Sequence, residues 1–266
     1  MWSEVQLKTD LGEIGVRSGR ALIVHVSLRS IGQIEGGGET LLGALRGVLG
    51  ETGTLLVPAF RDPHSPFFVA TDDWDAQPAD TVTVGAFAEI VRQHPDALRS
   101  HHPIFSFAAI GQDAEFLTRN APFSYPLGAK SPIDRLHQLD GDVLLLGVDS
   151  RVNVSLHLAE IWADVPYIHR VAEIPVAPEQ RASMRGMPGC RNGYVKIEPL
   201  LRQSRIGRYG YIGNAPSQLL RQRHVVSLAE TMLRGRGSSL LCDDPQCAEC
   251  AYAHKMLQET QPLNCE

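Results

Sequence analysis

A histidine and two carboxylates occur close together in the sequence NVSLHLAEIWADVPY, residues 153–167. If this stretch is helical, His157 lies at the border of a broad apolar face, and Glu160 and Asp164, three and seven positions further on, lie beside it. A neighbouring carboxylate can orient an imidazole and stabilise the imidazolium that forms when the ring takes up a proton. The pattern therefore indicates a general base, but a histidine hydrogen-bonded at the edge of a hydrophobic core fits it as well.

Three cysteines crowd into the sequence CDDPQCAEC near the end of the chain, namely Cys242, Cys247 and Cys250. Thiolates are ligands for tetrahedral zinc, and Cys190 could complete the set, with His254 as a less suitable fourth ligand. Such a site would be structural and would hold the Cys-rich C-terminal segment 238–266. The spacing fits free, reduced thiols as well. An odd count of five cysteines, in a chain without an export signal, argues against a disulfide framework.

Two further stretches place polar or small residues at the ends of predicted strands. Gly36, Gly37 and Gly38 lie between a strand and a helix, where backbone amides can hold a phosphate, although an ordinary turn with a helix cap explains them equally well. They form neither a dinucleotide fingerprint nor a P-loop. His101 and His102 precede another strand, and neighbours in a strand face opposite sides, so we expect one of them, rather than both, to face a site.

Hydrophobic periodicity predicts the elements that must position these residues. Apolar runs predict buried strands at 21–27, 54–60, 106–111 and 142–148, and patterns typical of helices lie between them. This alternation predicts an α/β fold with a mostly parallel central sheet flanked by helices, in a single domain spanning residues 1–266. The long segment 60–81 is rich in proline and aspartate and lacks periodicity, so we expect it to be functional or mobile.

Composition restricts the possible partners. With 43% hydrophobic and 21% charged residues, the chain resembles a folded enzyme. A net charge of -5 shows no excess of positive charge of the kind that binds nucleic acid, although a local basic groove could hold a phosphorylated cofactor. Apolar stretches of signal-peptide or membrane-spanning length are missing, so we expect a soluble, cytoplasmic protein without a membrane partner. The sequence does not indicate an oligomeric state.

The stretches 25–60, 99–111 and 131–160 carry motifs whose order and separations are specific, and SLHLAE is the most distinctive of them. Together they resemble the aminoglycoside 3-N-acetyltransferase family from about residue 21 to residue 167, and more loosely through YVKIEP. The resemblance implies the antibiotic N-acetyltransferase fold, which differs from the common split-sheet acetyltransferase fold. It also implies transfer of an acetyl group from acetyl-CoA to an amine of an aminoglycoside, without a metal in the chemistry.

The resemblance assigns roles to individual residues. His157 in SLHLAE matches the proposed general base, and Glu198 in VKIEP matches an acid that orients the base or holds substrate. Asp62 in FRDP matches an acid of the loop that faces the antibiotic, and Glu160 and Asp75 are further acids predicted to bind a cationic substrate. The residues predicted to border coenzyme A are His25, Val26, Ser27, Leu28, Arg29, Ser30, His102, Ser106 and Phe107.

Departures from the family pattern leave the acceptor open. Val26 stands where members usually carry a second serine, Phe105 stands where they carry a polar residue, and the acidic loop is shorter. The default acceptor is the 3-amine of a deoxystreptamine drug, and the 2'-amine of a kasugamycin-like drug is an alternative. Other hypotheses are an N-acetyltransferase of a biosynthetic amine and a non-catalytic acyl-CoA-binding protein. The histidine beside acidic residues disfavours the last of these.

Overall fold

The structure is a computed structural model that describes residues 1–64, 68, 70, 73 and 77–260. The strands are β1 Ala21–Val26, β2 Thr54–Pro58, β3 Leu98–Arg99, β4 Phe107–Gly111, β5 Asp142–Leu146, β6 Val171–Ala177, β7 Gln180–Arg185, β8 Gly207–Ile212 and β9 Ala215–Arg221. The helices are α1 Glu4–Ile14, α2 Leu28–Ile31, α3 Gly38–Leu49, α4 Thr81–Val84, α5 Ala86–Gln93, α6 Ala114–Thr118, α7 Pro132–Gln138, α8 Ser155–Trp162, α9 Glu198–Gln203, α10 Gln222–Gly235 and α11 Ala248–Thr260. Short 3₁₀ turns span Ser150–Val152, Pro166–His169 and Asn192–Ile197.

Within the described residues, seven strands form a mixed sheet in the order β3-β4-β2-β1-β5-β9-β8. The three central strands are parallel, because β1 pairs in parallel with both β2 and β5. The outer pairs are antiparallel. At one edge the reason is local: only Gly213, at a φ of 56°, and Asn214 separate β8 from β9, and so short a turn can join only antiparallel strands. The prediction of an α/β fold with helices flanking a central sheet is confirmed. The predicted parallel pairing is found among the three central strands of the sheet, β2, β1 and β5.

The sheet has a hydrophobic cluster on each face. Alternate side chains of β1 enter different clusters: Ile23 packs into one, and Leu22 and Val24 pack into the other. The first cluster includes side chains of α7, α8 and α10, and the second includes those of α1, α3 and α5. None of the helices in the described part of the chain is long and apolar enough to cross a membrane. The sheet thus holds the ends of β1 and β5 rigidly between two packed layers of helices.

Helix α8 is the predicted helix that carries His157, and it differs from the prediction in length and burial. All its residues from Ser155 to Glu160 are buried, so the predicted polar edge is covered. The helix ends at Trp162 because Pro166 favours extended backbone at Val165, the residue before it. Asp164 therefore lies beyond the helix, where it is exposed and forms an ion pair with His169 at 2.9 Å. Only Glu160 of the two predicted acids stays beside the histidine.

The second half of the chain contains elements that periodicity did not predict. Strand β6 contains the apolar run VAEIPVA, residues 171–177, and it pairs with β7 in a separate two-stranded sheet. Strands β8 and β9 extend the main sheet, and their burial patterns lack the continuous apolar run of a central strand. Helix α11, which carries part of the cysteine cluster, packs against the 3₁₀ turn Pro166–His169. Strands β6 and β7 and helix α11 contribute side chains to the hydrophobic cluster that also contains those of α8.

Candidate functional site

His157, Glu160 and Tyr194 form one buried hydrogen-bonded group. The histidine Nδ1 lies 2.8 Å from Glu160 Oε2, one turn later in α8. The hydroxyl of Tyr194 donates to the same carboxylate oxygen at 2.8 Å, and its oxygen lies 2.7 Å from Nδ1. The side chains of His157 and Glu160 are only 2% and 4% exposed. Since all three groups are buried, water does not compete for these hydrogen bonds.

This arrangement determines which histidine nitrogen is available for chemistry. Burial, followed by the Glu160 carboxylate, raises the pKa of Tyr194 well above its ordinary value, so the phenol keeps its proton and donates it to Glu160. The same carboxylate accepts the proton on Nδ1 of His157, which leaves Nε2 with a free lone pair. The ring borders a cavity, so Nε2 can accept a proton from a molecule bound there.

Local sequence positions the histidine at the start of its helix. The Asn153 side chain accepts a hydrogen bond from the amide of Ser155 at 3.1 Å and so forms the turn that begins α8. The predicted acid Glu198 supports the preceding 3₁₀ turn, because its Oε1 accepts the amide of Ser150 at 2.8 Å. The structure thus brings Glu160, and not Glu198, to the His157 ring. Tyr194 was not predicted, because an aromatic residue in an apolar segment carries no sign of a catalytic contact.

The cavity in front of His157 is a candidate acceptor site. Its lining includes Phe60, Asp62 and Phe105 together with Met187, Pro188, Gly189 and Arg191. The sequence-predicted acid Asp62 therefore lines the same cavity as His157, and its carboxylate also accepts the amide of His64 at 2.8 Å. Asp75 lies outside the described residues. We refer to this space as the acceptor cavity.

A second cavity lies at the carboxyl ends of the parallel strands. Its lining includes residues 25–29, which lie at the end of β1 and the start of α2, and Val148, which follows β5. Strand β1 lies between β2 and β5. The chain leaves β1 through α3 on one face of the sheet and leaves β5 through α8 on the other, and such a switch point is a common ligand site in α/β folds. We call this space the donor cavity. Phe60, Thr83 and Arg191 line both cavities, so the two adjoin.

Two of the predicted coenzyme residues have distinct surroundings at the donor cavity. Burial, with a smaller contribution from the Arg191 charge, lowers the pKa of His25 to about 3, so its imidazole is neutral at pH 7. Its Nε2 is buried and has no hydrogen-bond partner among the described residues. The Ser30 hydroxyl instead donates to the Gly147 carbonyl at 3.2 Å and contacts Ser27 Oγ at 3.0 Å. Ser30 therefore fixes the strand ends that form the cavity.

His102, Ser106 and Phe107 lie in the interior of the protein. His102 Nδ1 accepts amides at 3.1 and 2.9 Å, its Nε2 donates to the Phe123 carbonyl, and burial lowers its pKa to about 4. The Ser106 hydroxyl donates to the carbonyl of Ala59 at 2.8 Å. Phe107 is fully buried in β4. The polar atoms of these side chains are occupied by the protein itself, so any contribution to coenzyme binding remains a prediction.

The four cysteines predicted to form a metal site come together. The sulfur atoms of Cys190, Cys242, Cys247 and Cys250 all lie within 4.8 Å of one another. A tetrahedral zinc site with Zn–S distances of about 2.3 Å places neighbouring sulfurs about 3.8 Å apart, so the cluster needs only a small contraction to fit the ion. The amide of Asn192 donates to the sulfur of Cys190 at 3.4 Å. We refer to these four residues as the thiol cluster.

Comparisons with known proteins agree with this geometry. A sequence model of the family described as Aminoglycoside 3-N-acetyltransferase matches residues 23–234. Aminoglycoside N(3)-acetyltransferase IV of a Salmonella species is 34% identical over 248 residues, which cover 92% of this chain and 92% of that protein. The crystal structure of aminoglycoside acetyltransferase AAC(3)-IVa, in a histidine-to-alanine mutant in complex with a gentamicin, has a TM-score of 0.84 and 32% identity and covers 96% of this chain and 97% of that chain. The structure of AAC-IIIb binary with CoASH has a TM-score of 0.80 and 28% identity, covering 88% of this chain and 97% of that chain.

These similarities extend over nearly the whole chain and include both the strands that form the donor cavity and the helix that carries His157. The family and the enzyme class predicted from the sequence are confirmed. The chain belongs to the aminoglycoside 3-N-acetyltransferase family.

Proposed function

We propose that the protein transfers an acetyl group from acetyl-CoA to the 3-amine of an aminoglycoside antibiotic and so causes resistance to it. One observation carries the proposal: a histidine whose Nδ1 is held by a buried carboxylate borders a cavity that adjoins the cavity at the carboxyl ends of β1 and β5. A base at the junction of two cavities fits a reaction between two bound substrates.

The donor cavity suits acetyl-CoA. Arg29 and Arg191 supply positive charge for the phosphates, and the ends of β1 and β5 supply the wall. The backbone amide of Leu28, at the start of α2, is a candidate to hold the oxyanion that forms at the thioester carbonyl, whereas the Ser27 amide already donates to the carbonyl of Leu146. The AAC-IIIb structure contains CoASH, which supports the same class of donor for this chain.

The acceptor cavity suits a cationic amine. The Asp62 carboxylate lines it and can attract ammonium groups, which aminoglycosides carry in number. His157 Nε2 then takes a proton from the amine as the amine nitrogen attacks the thioester carbon. The new N–C bond replaces the C–S bond, and the proton passes from His157 to the departing coenzyme A thiolate. Glu160 stabilises the transient imidazolium.

A panel of acceptors tests this assignment. The purified protein is incubated with acetyl-CoA and either gentamicin, apramycin or kasugamycin, thiol release is followed with a chromogenic disulfide, and product NMR identifies the acetylated nitrogen. We expect turnover of deoxystreptamine drugs with acetylation at the 3-amine. Turnover of kasugamycin alone, at its 2'-amine, would shift the assignment to that drug. Turnover of none of the three drugs would contradict the proposal and favour an N-acetyltransferase of a biosynthetic amine.

The panel leaves the location of the protein untested, and the cytoplasmic location expected from the sequence stays a prediction.

We also propose that the thiol cluster binds one structural zinc ion. Three of the four sulfurs come from the C-terminal segment and one from the loop after β7, so the ion would join two distant parts of the chain. The cluster has no contact with His157 among the hydrogen bonds described, which fits a metal outside the acetyl-transfer chemistry.

Zinc removal is expected to destabilise the fold. Elemental analysis should find about one zinc per chain, and Cys242→Ser should lower the zinc content and reduce the melting temperature by at least about 5 °C, because metal binding contributes directly to folding. Cys265→Ser serves as the control, since it removes a thiol but leaves the four cluster residues in place. A purified protein without zinc, whose melting temperature is unchanged by Cys242→Ser, would contradict the zinc site.

A further inference from the structure

The loop that contributes Cys190 to the thiol cluster also forms a wall of both cavities. Met187, Pro188 and Gly189 line the acceptor cavity, and Arg191 lines the acceptor and donor cavities. Cys190 lies between them, and its sulfur points to the other three cysteines. The residue that joins the cluster is therefore the direct chain neighbour of two residues that contact the substrate spaces.

Few hydrogen bonds hold this loop in place, although Met187 packs against the hydrophobic cluster that contains side chains of α8. At its start, the amides of Gly186 and Met187 donate to the carbonyl of Arg170 at 3.0 and 3.4 Å. At its end, Tyr194 donates its amide to the carbonyl of Arg191. Between these points, no backbone amide from residues 188–191 donates a hydrogen bond in the part of the chain that the structure describes. The Cys190 sulfur is thus the main polar contact in the middle of the loop.

The other side of the cluster is fixed to the body of the protein. Cys250 is 2% exposed within α11, and its sulfur accepts the amide of Cys242 at 3.3 Å. Lys196 donates to the carbonyl of Leu241 at 2.7 Å, which ties the segment before the cysteines to the 3₁₀ turn Asn192–Ile197. The three C-terminal cysteines therefore form a rigid frame to which a metal ion can hold the loop.

We infer that zinc in the thiol cluster positions the loop 187–191 and so sets the shape of the acceptor cavity. The inference rests on the proposed zinc site and adds a function to it: the metal acts on substrate binding from outside the chemistry. Without the ion, Cys190 is released, and its chain neighbours Gly189 and Arg191 lose their fixed positions. The base itself is affected less, because Tyr194 is fully buried and bonded to Glu160, and Glu198 at the end of its turn accepts the amide of Ser150.

The acceptor should therefore lose affinity more than the donor does. Among the described residues, the loop contributes Met187, Pro188, Gly189 and Arg191 to the lining of the acceptor cavity but only Arg191 to that of the donor cavity. A misplaced wall weakens binding strongly even when its residues are unchanged, since small displacements remove well-aligned contacts. The change should appear in acceptor KM and Kd, with a smaller change in kcat.

The test compares Cys190→Ser, which removes the ligand from the loop, with Cys190→His, which offers another zinc ligand at the same position. Both are made in the full chain, alone and in a His157→Ala background in which bound substrates do not react. Calorimetry measures the Kd of gentamicin and of coenzyme A, elemental analysis measures zinc, and thermal unfolding shows that each variant is folded. Limited trypsin digestion measures the rate of cleavage after Arg191.

We expect Cys190→Ser to raise the Kd of gentamicin by about tenfold or more and that of coenzyme A by about threefold or less. Cleavage after Arg191 should be about tenfold faster, because proteolysis reports the population of the open loop. Cys190→His should restore both values at least in part. Removal of zinc from the unmodified enzyme by a chelator should reproduce the serine variant.

Different failures separate the two proposals. A zinc-loaded enzyme whose gentamicin affinity and cleavage rate change by less than about twofold in Cys190→Ser would overturn the inference and leave the zinc site intact. An enzyme that acetylates gentamicin but contains no zinc would overturn both the zinc site and the inference, without affecting the proposed activity. If gentamicin does not bind, the proposed acceptor is wrong, and the cleavage rate after Arg191 still decides the role of the thiol cluster.

Discussion

The His157→Ala enzyme is expected to lose acetyl transfer by a factor of about 10²–10⁴ in kcat, which is the usual contribution of a general base. In the unmodified enzyme, His157 Nδ1 lies 2.8 Å from the Glu160 carboxylate, so Nε2 is the nitrogen that takes the proton from the amine. Binding should survive, because Asp62 and the loop 187–191 line the acceptor cavity and residues 25–29 line the donor cavity. Steady-state kinetics and calorimetry with gentamicin and coenzyme A measure the two effects separately.

A matched control is His224→Ala, which removes an exposed histidine from α10 and should leave kcat unchanged. The imidazole rescue of His157→Ala, with imidazole added to the assay, should recover part of the rate if the side chain acts only as a base. A His157→Ala enzyme with full activity would exclude His157 as the base. Loss of both activity and substrate binding would instead indicate a structural role for the ring.

Glu160→Gln is the second substitution with a large expected effect, again about 10²–10⁴ in kcat, because a wrong histidine tautomer is about as damaging as a missing base. The glutamine amide can donate to His157 Nδ1, which favours the tautomer with its proton on Nε2. That nitrogen then cannot accept a proton from the amine. The glutamate and glutamine side chains are nearly the same size. Glutamine should therefore fit the buried site, and the fold should be kept.

Two variants serve as controls for Glu160→Gln. Tyr194→Phe removes one of the two donors to Glu160 Oε2 and keeps the His157 contact, so it should lower kcat by only about tenfold. Glu198→Gln keeps an oxygen that can accept the amide of Ser150, and it should have little effect. NMR of the imidazole nitrogens reports the tautomer directly. The opposite ranking, with Glu198→Gln inactive and Glu160→Gln active, would make Glu198 the orienting acid.

The relation between His157 and Glu160 could be predicted because it is local. Residues three positions apart in a helix share a face whatever the rest of the chain does. Asp164 was wrongly placed beside the histidine because the same rule was applied past Trp162, where Pro166 ends the helix. The burial of α8 could not be predicted from its own residues, since helices distant in sequence cover it.

Contacts over long separations were beyond the reach of sequence reasoning. Tyr194 lies 37 residues from His157, and its hydroxyl reaches the ring only because the 3₁₀ turn Asn192–Ile197 packs against α8. The same holds for the inner position of His102, whose adjacent His101 is exposed. In both cases the residue type and the neighbouring sequence are compatible with a buried or an exposed side chain, and the packing of the whole chain determines which occurs.

The sequence by itself determined the alternation of strands and helices, the family, the base with its nearby acid, and the set of cysteines, because periodicity, short spacings and motifs are properties of neighbouring residues. The tertiary structure alone decided that Glu160 and Tyr194 hold the base and that Asp62 lines the same cavity as His157. It also decided that Cys190 joins three sulfurs from the far end of the chain, while the chain neighbours of Cys190 line the substrate cavities. The physical reason is that burial and long-range contacts depend on how the whole chain packs, and no local pattern encodes the partner that packing brings to a given side chain.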